Sequence, residues 1–204
     1  MKLKFALALS ALVGALIVPA LASAGAFSTN GWIVTKTQSG MGMNVTTTLH
    51  GTKVDNSTAT FATAVDNVPS WSADGSKIAW LSTNGANSAV KVASPTGANA
   101  VTVVTGSFSS SEVPSISSDG SQVAVSLDCD IYLLSATAGQ TLSASNKVVD
   151  GTMVTACASA PSISSNGTIA YTRIGSSCTT YTDIWVLSSP NPGTPSFGTE
   201  LTTT

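Results

Sequence analysis

Few side chains in this sequence could do chemistry, and their spacing keeps them apart. The chain has one histidine, His50. A Ser-His-Asp hydrolase would need it near a Gly-x-Ser-x-Gly elbow that exposes a nucleophile. No such elbow lies near it, and its neighbour Gly51 makes it read as a turn residue. Asp128 and Asp130 flank Cys129, so the pair could hold a cation or share a proton. The competing reading is a loop leading into a strand, with Asp130 holding a turn. Asp74, Asp119 and Asn166 each stand before a glycine. Calcium takes about six to eight oxygens, and single acids in separate units do not converge on one ion. The expectation is therefore no catalytic residue, no metal ligand and no cofactor.

The cysteines are Cys129, Cys157 and Cys178, with no CxxC pair to make a zinc site. An oxidising compartment would allow one disulfide and leave one thiol.

The elements that must position these residues are marked by a recurring phrase. It reads Phe27-Ser28-Thr29-Asn30-Gly31, Trp71-Ser72-Ala73-Asp74-Gly75, Ile116-Ser117-Ser118-Asp119-Gly120 and Ile163-Ser164-Ser165-Asn166-Gly167. An apolar residue sits four positions before each glycine, and Asp or Asn precedes it. The glycines at 31, 75, 120 and 167 set a repeat of 44 to 47 residues. Strand-built repeats of that period mean a solenoid or propeller.

Within a unit, the phrase predicts a short strand followed by a tight turn. Gly supplies positive φ there, and Asp bonds its own backbone. A second strand (Lys77–Leu81, Gln122–Ser126, Ile169–Thr172) and a third (Ala89–Ala93, Asp130–Leu134, Asp183–Leu187) follow, then a fourth. The first unit is the loosest, with its later strands read at Asn44–Leu49 and Ala59–Val65. Runs such as Ile131-Tyr132-Leu133-Leu134 are apolar on successive residues and need cover on both faces. Blades stacked around an axis give that cover. The fold expected is all-β: a β-propeller of four-stranded antiparallel blades, with four blades encoded at about 25–68, 69–113, 114–160 and 161–204.

Ahead of the first unit, Lys2 and Lys4 precede an apolar stretch from Phe5 to Leu21, and Ala22-Ser23-Ala24 follows. These are the three parts of a secretory signal peptide. Residues 1–24 are expected to be removed, leaving a protein that starts near Gly25 in the periplasm or outside the cell, with no stable membrane insertion. Eight Lys and Arg stand against ten Asp and Glu, with no basic cluster. That argues against nucleic acid and anionic lipid as partners. Asn-x-Ser/Thr triplets at Asn44, Asn56 and Asn166 could be glycosylated only in a eukaryotic secretory route, and since Asn166 belongs to the tight turn, chance is the simpler account.

Pro69-Ser70-Trp71-Ser72-Ala73-Asp74-Gly75-Ser76-Lys77-Ile78 resembles the WD40-like repeat of TolB-type propellers, known as PD40. Asp130-Ile131-Tyr132-Leu133 and Asp183-Ile184-Trp185-Val186 resemble that family's third-strand phrase, and Leu201-Thr202 its fourth-strand Leu-Thr. The family's proline before Asp-Gly is replaced by Ala73, Ser118 and Ser165. Such propellers commonly have six blades. The resemblance therefore leaves open a closed four-blade ring, an open arc that self-associates through its end blades, and a fragment of a larger protein.

The resemblance implies a non-catalytic binding module with a protein partner. Its alternative is a propeller that accompanies an enzyme or acts on polysaccharide. Trp71, Trp80 and Trp185 would be blade core rather than a sugar platform. In such a blade the loops after second strands and after fourth strands share one end. All three cysteines fall at that end, and a Cys157–Cys178 disulfide is expected. Glu112, Asp128 and Arg173 fall there too, which makes that end the expected binding surface.

Overall fold

The structure is a computed structural model, and it describes residues 32–39, 46–53, 58–63, 69–84, 87–95, 97–109, 112–151, 157–174 and 182–202. The expected signal peptide, the first phrase and Cys178 lie outside the described residues. Among those residues every regular element is a strand, apart from a 3-10 turn at Ala144–Asn146 and 3-10 backbone at Gly151. No helix of the described residues is long and apolar enough to cross a membrane.

Four antiparallel sheets follow one another along the chain. The first holds β1 (Trp32–Ser39), β2 (Thr46–Lys53) and β3 (Thr58–Thr63). The second holds β4 (Ser70–Trp71), β5 (Ile78–Asn84), β6 (Asn87–Ala93) and β7 (Val101–Gly106). The third holds β8 (Ser115–Ile116), β9 (Gln122–Leu127), β10 (Asp130–Ser135) and β11 (Lys147–Val149). The fourth holds β12 (Cys157–Ile163), β13 (Ile169–Ile174), β14 (Thr182–Leu187) and β15 (Thr199–Glu200). Each sheet is an up-and-down meander, with neighbours in sequence paired in space. Three of the four have the expected four strands.

The first unit differs from its sequence reading. His50 and Gly51 lie inside β2, paired with Thr35 and Val34, and not in a turn. The pairing of β2 with β3 shifts register between Leu49 and His50. Glycine inside a strand often accompanies such an irregularity. In the fourth unit the first strand is longer than the phrase implies. A register shift lies between Ser159 and Ser162, where Ala160 adopts φ 49°.

The core sits between sheets, as the uninterrupted apolar runs demanded. Ala79, Leu81, Val90 and Val92 of the second sheet pack with Val123, Val125 and Leu134 of the third. Ala124, Ile131 and Leu133, on the other face of the third sheet, pack with Ile169, Tyr171 and Leu187 of the fourth. The third sheet is thus buried on both faces. Each buried Val, Leu or Ile among them contributes about 1.5–3 kcal/mol by leaving water. Ile78 and Trp80, pointing away from the third sheet, are also buried.

Candidate functional site

The repeated Asp/Asn-Gly residues are built into turns, and the geometry shows what each atom does. In the second sheet the Ser72 hydroxyl donates to Asp74 Oδ1 at 2.6 Å. The same carboxylate oxygen accepts the Ser76 N–H at 2.9 Å, and the Lys77 N–H donates to Ser72 Oγ at 2.9 Å. Gly75, at φ 67°, donates to the Ser72 carbonyl and closes the turn. The third sheet repeats this with Ser117, Asp119, Ser121 and Gln122. The fourth repeats it with Ser164, Asn166 and Thr168, in a turn one residue shorter.

Sequence reasoning missed the serine. Ser72, Ser117 and Ser164 recur one place after the apolar residue, which was the available signal. These hydrogen bonds hold the Asp119 carboxyl down at about 2, led by the Ser121 backbone N–H and then the Ser117 hydroxyl. Asp74 is lowered for the same kind of reason, with the Ser72 hydroxyl as the leading cause. In each turn the side-chain hydroxyl and the backbone N–H converge on one Oδ1 atom, which is what a turn needs rather than an ion site.

At the opposite end of the sheets, β9 passes to β10 through two residues, Asp128 and Cys129. Both are left-handed, with φ 53° and 70°. That is the backbone of a tight two-residue hairpin, whose twist matches the strands it joins. The conformation is unfavourable for cysteine and needs support. Support comes from the next sheet. Cys129 forms a disulfide with Cys157 of β12, and the Ala158 N–H donates to the Cys129 carbonyl at 3.1 Å. The expected Cys157–Cys178 disulfide is therefore replaced by Cys129–Cys157. The hairpin aims Cys129 across to the neighbouring sheet, a relation that loop lengths do not reveal.

The three expected surface residues have distinct surroundings. Asp128 is exposed on the pinned hairpin. Glu112 accepts a hydrogen bond from the buried Ser126 hydroxyl at the end of β9. Arg173 pairs in register with Ala158 and Asp183. Its guanidinium lies 4.5 Å over the Trp185 ring and 5.9 Å from Phe197. Arg173 is thus laid along its own sheet, while Asp128 points outward. Trp80 is blade core, whereas Trp71 and Trp185 are half-buried.

Asp130 does more than hold a turn. It is buried, and its carboxylate accepts from Lys147 Nζ at 2.6 Å, from the Gly151 N–H at 2.9 Å and from the Tyr132 hydroxyl at 3.2 Å. The Asp130 hydrogen bond raises the Lys147 pKa against the opposing effect of burial. Burial, then the charge of Asp130, raises that of Tyr132. This network ties β10 to β11 and the segment after it. It makes Asp130 a structural anchor and leaves Asp128 alone on the surface, so the two do not form an acid/base pair. Among the described residues no group of three or more His, Cys, Asp or Glu could hold a metal.

The geometry invites comparison with known folds. One similar solved structure is TolB from Acinetobacter baumannii, with a TM-score of 0.54 at 11% identity over 70% of this chain and 37% of that one. Another comes from a structural and mechanistic study of two prolyl endopeptidases, with a TM-score of 0.52 at 14% identity over 90% of this chain and 33% of that one. The likeness is one of fold. These sheets are β-propeller blades. The chain spans about a third of the length of each of these two structures. No family model matches it, and no curated protein matches it in sequence.

Proposed function

We propose that this protein is an exported, non-catalytic β-propeller module that binds a protein partner through the end of the blades carrying Asp128. The observation that carries this reading is the pinned hairpin. An exposed acidic residue sits on a two-residue turn that a disulfide fixes to the next sheet. Binding residues placed on loops held by a rigid scaffold lose little freedom on association. The disulfide also supports an oxidising compartment, in keeping with the signal-peptide pattern of residues 1–24.

A second reading places these blades beside a peptidase domain in a longer protein. The similarity to a prolyl endopeptidase over 90% of this chain favours it.

Site-specific photo-crosslinking in the exporting cell tests the proposal. A photoreactive residue at position 128 should give a discrete crosslinked partner, and one at Asn99, on the exposed β6–β7 turn, should not. Crosslinks from position 99 alone would overturn the assignment of the binding end. N-terminal sequencing of the mature protein should begin near Gly25.

A further inference from the structure

We infer that the guanidinium of Arg173 is a recognition site for a carboxylate carried by an acidic residue of a protein partner. The inference rests on the protein-binding role proposed above and names the group recognised. Arg173 is the only arginine of the chain. Like positions in successive sheets show how its placement departs from the repeat. Ser82 pairs with Ala89 in the second sheet, Leu127 with Asp130 in the third, and Arg173 with Asp183 in the fourth. Ser82 is buried, and Leu127 packs against the core. The fourth sheet therefore puts a cation where the two before it put a small or apolar side chain.

That cation is held in place while its donors stay unspent. The Trp185 ring lies 4.5 Å from the guanidinium and the Phe197 ring 5.9 Å from it. The rings are themselves anchored. The Tyr171 hydroxyl donates to the Phe197 carbonyl at 2.6 Å, and the Ser196 N–H donates to the Val148 carbonyl of β11 at 3.0 Å. Arg173, Trp185 and Phe197 are all half-buried, so the group meets solvent. Asp183 stands opposite Arg173, yet among the described residues no carboxylate forms an ion pair with the guanidinium and no group accepts a hydrogen bond from it. The third sheet shows the contrast. There the cation over a ring is Lys147, 5.9 Å from the centre of Tyr132, and it is taken by Asp130 at 2.6 Å and Asp150 at 3.3 Å.

The geometry selects the chemistry. A guanidinium is a planar fork of N–H donors that meets a carboxylate or a phosphate through parallel hydrogen bonds in its own plane. A ring over that plane leaves the edge available, and it fixes in advance a side chain that would otherwise lose freedom on binding. Asp183 and Glu200 are the cross-strand neighbours of Arg173 and Trp185, so the surroundings are already acidic. They tolerate the single charge of a carboxylate better than the near-double charge of a phosphate ester. Arg173 also pairs with Ala158, whose N–H holds the Cys129 carbonyl, which places the fork beside the pinned hairpin. Arginine and tryptophan together are the residues that most often carry the binding energy of a protein interface.

Nitrogen–proton correlation NMR tests the inference, because one arginine gives one Nε–H signal. A blocked triglutamate peptide should shift that signal to saturation. Acetate should shift it less at equal carboxylate concentration, inorganic phosphate least, and a blocked triglutamine peptide not at all. Arg173→Lys keeps the charge and loses the fork. It should weaken peptide binding, measured by calorimetry, by about tenfold while leaving thermal unfolding unchanged, which a merely structural stack would not do. Arg173→Gln repeats the comparison if the lysine variant folds poorly. A signal indifferent to the triglutamate peptide, or undiminished binding by both variants, would overturn the inference. So would an equal response to acetate, which would make the site one for free anions, or a stronger response to phosphate. Peptide binding at Arg173 without a crosslink from position 128 would uphold this site and count only against the role of Asp128.

Discussion

Lys77 donates from Nζ to the carbonyl oxygen of Gly120 at 2.9 Å, so the turn of one blade holds the turn of the next. The Asp74 N–H reinforces this link by donating to the Ser118 carbonyl at 3.0 Å. Gly120 sits at φ 69°, and a Cβ there would stand 3.0 Å from Lys77 Cδ. The basic residue and the glycine of successive phrases are therefore matched to each other across the blade boundary.

Replacing Lys77 with Met keeps most of the stem and removes the donor. Unfolding in urea should show a loss of about 1 kcal/mol, the usual net worth of a partly exposed hydrogen bond. An unchanged midpoint would mean that the turn-to-turn contact adds nothing to stability.

The Cys129–Cys157 disulfide spans 28 residues. Closing a loop of that size should stabilise the fold by about 3–4 kcal/mol, chiefly by restricting the unfolded chain. The double variant Cys129→Ala, Cys157→Ala should lose that amount. Peptide mapping without reductant should recover the two cysteines in one linked fragment pair. Recovery of Cys157 joined to Cys178 would contradict the geometry of the Asp128-Cys129 hairpin.

Acid should weaken the turns in a defined window. The Asp119 carboxyl is lowered from an ordinary value of 3.8 to about 2. A lowered folded-state value means that ionised Asp119 favours the folded state. The stabilisation is complete above the unfolded-state value, and it fades as pH falls through about 2. Wild-type stability should therefore drop more steeply below pH 3.8 than that of Asp119→Asn. Carboxyl titration by NMR should place the Asp119 midpoint near 2. A midpoint at the ordinary value would remove the basis for this expectation.

Asp130→Ala should be among the costlier single changes in the third blade. It leaves the Gly151 N–H without its buried acceptor and Lys147 with the more distant Asp150, at 3.3 Å, as its remaining carboxylate. A loss of about 2 kcal/mol is expected, chiefly because the Gly151 N–H stays buried without an acceptor. Asp130→Asn keeps an acceptor for Gly151 and should cost less. Equal losses in thermal unfolding would show that the charge pair, and not the backbone hydrogen bond, dominates.

Much of the fold was legible because each phrase carries its own turn chemistry. Gly75, Gly120 and Gly167 announce positive φ, and they have it. Ile131 to Leu134 announced two covered faces, and both are covered. Local signals failed where the deciding contact was distant. Gly51 read as a turn, yet it continues a strand beside a register shift. The expected Cys157–Cys178 pairing would tie the entry of the fourth unit to its own longest loop. Its partner in the structure is set by the left-handed Asp128-Cys129 hairpin, which reaches across from the neighbouring blade. Asp130 read as a turn residue, because Lys147 and Gly151 come close to it only once β10 and β11 have paired.

The stacking of one blade's outward face on the inward face of the next carries the whole account. Methyl–methyl nuclear Overhauser spectroscopy of the mature protein measures it directly. Cross-peaks from Ile131 and Leu133 to Ile169 and Leu187 are predicted, because these residues share one buried cluster. If the Ile131 and Leu133 methyls show no contact with the fourth blade, the stacked-blade account is contradicted.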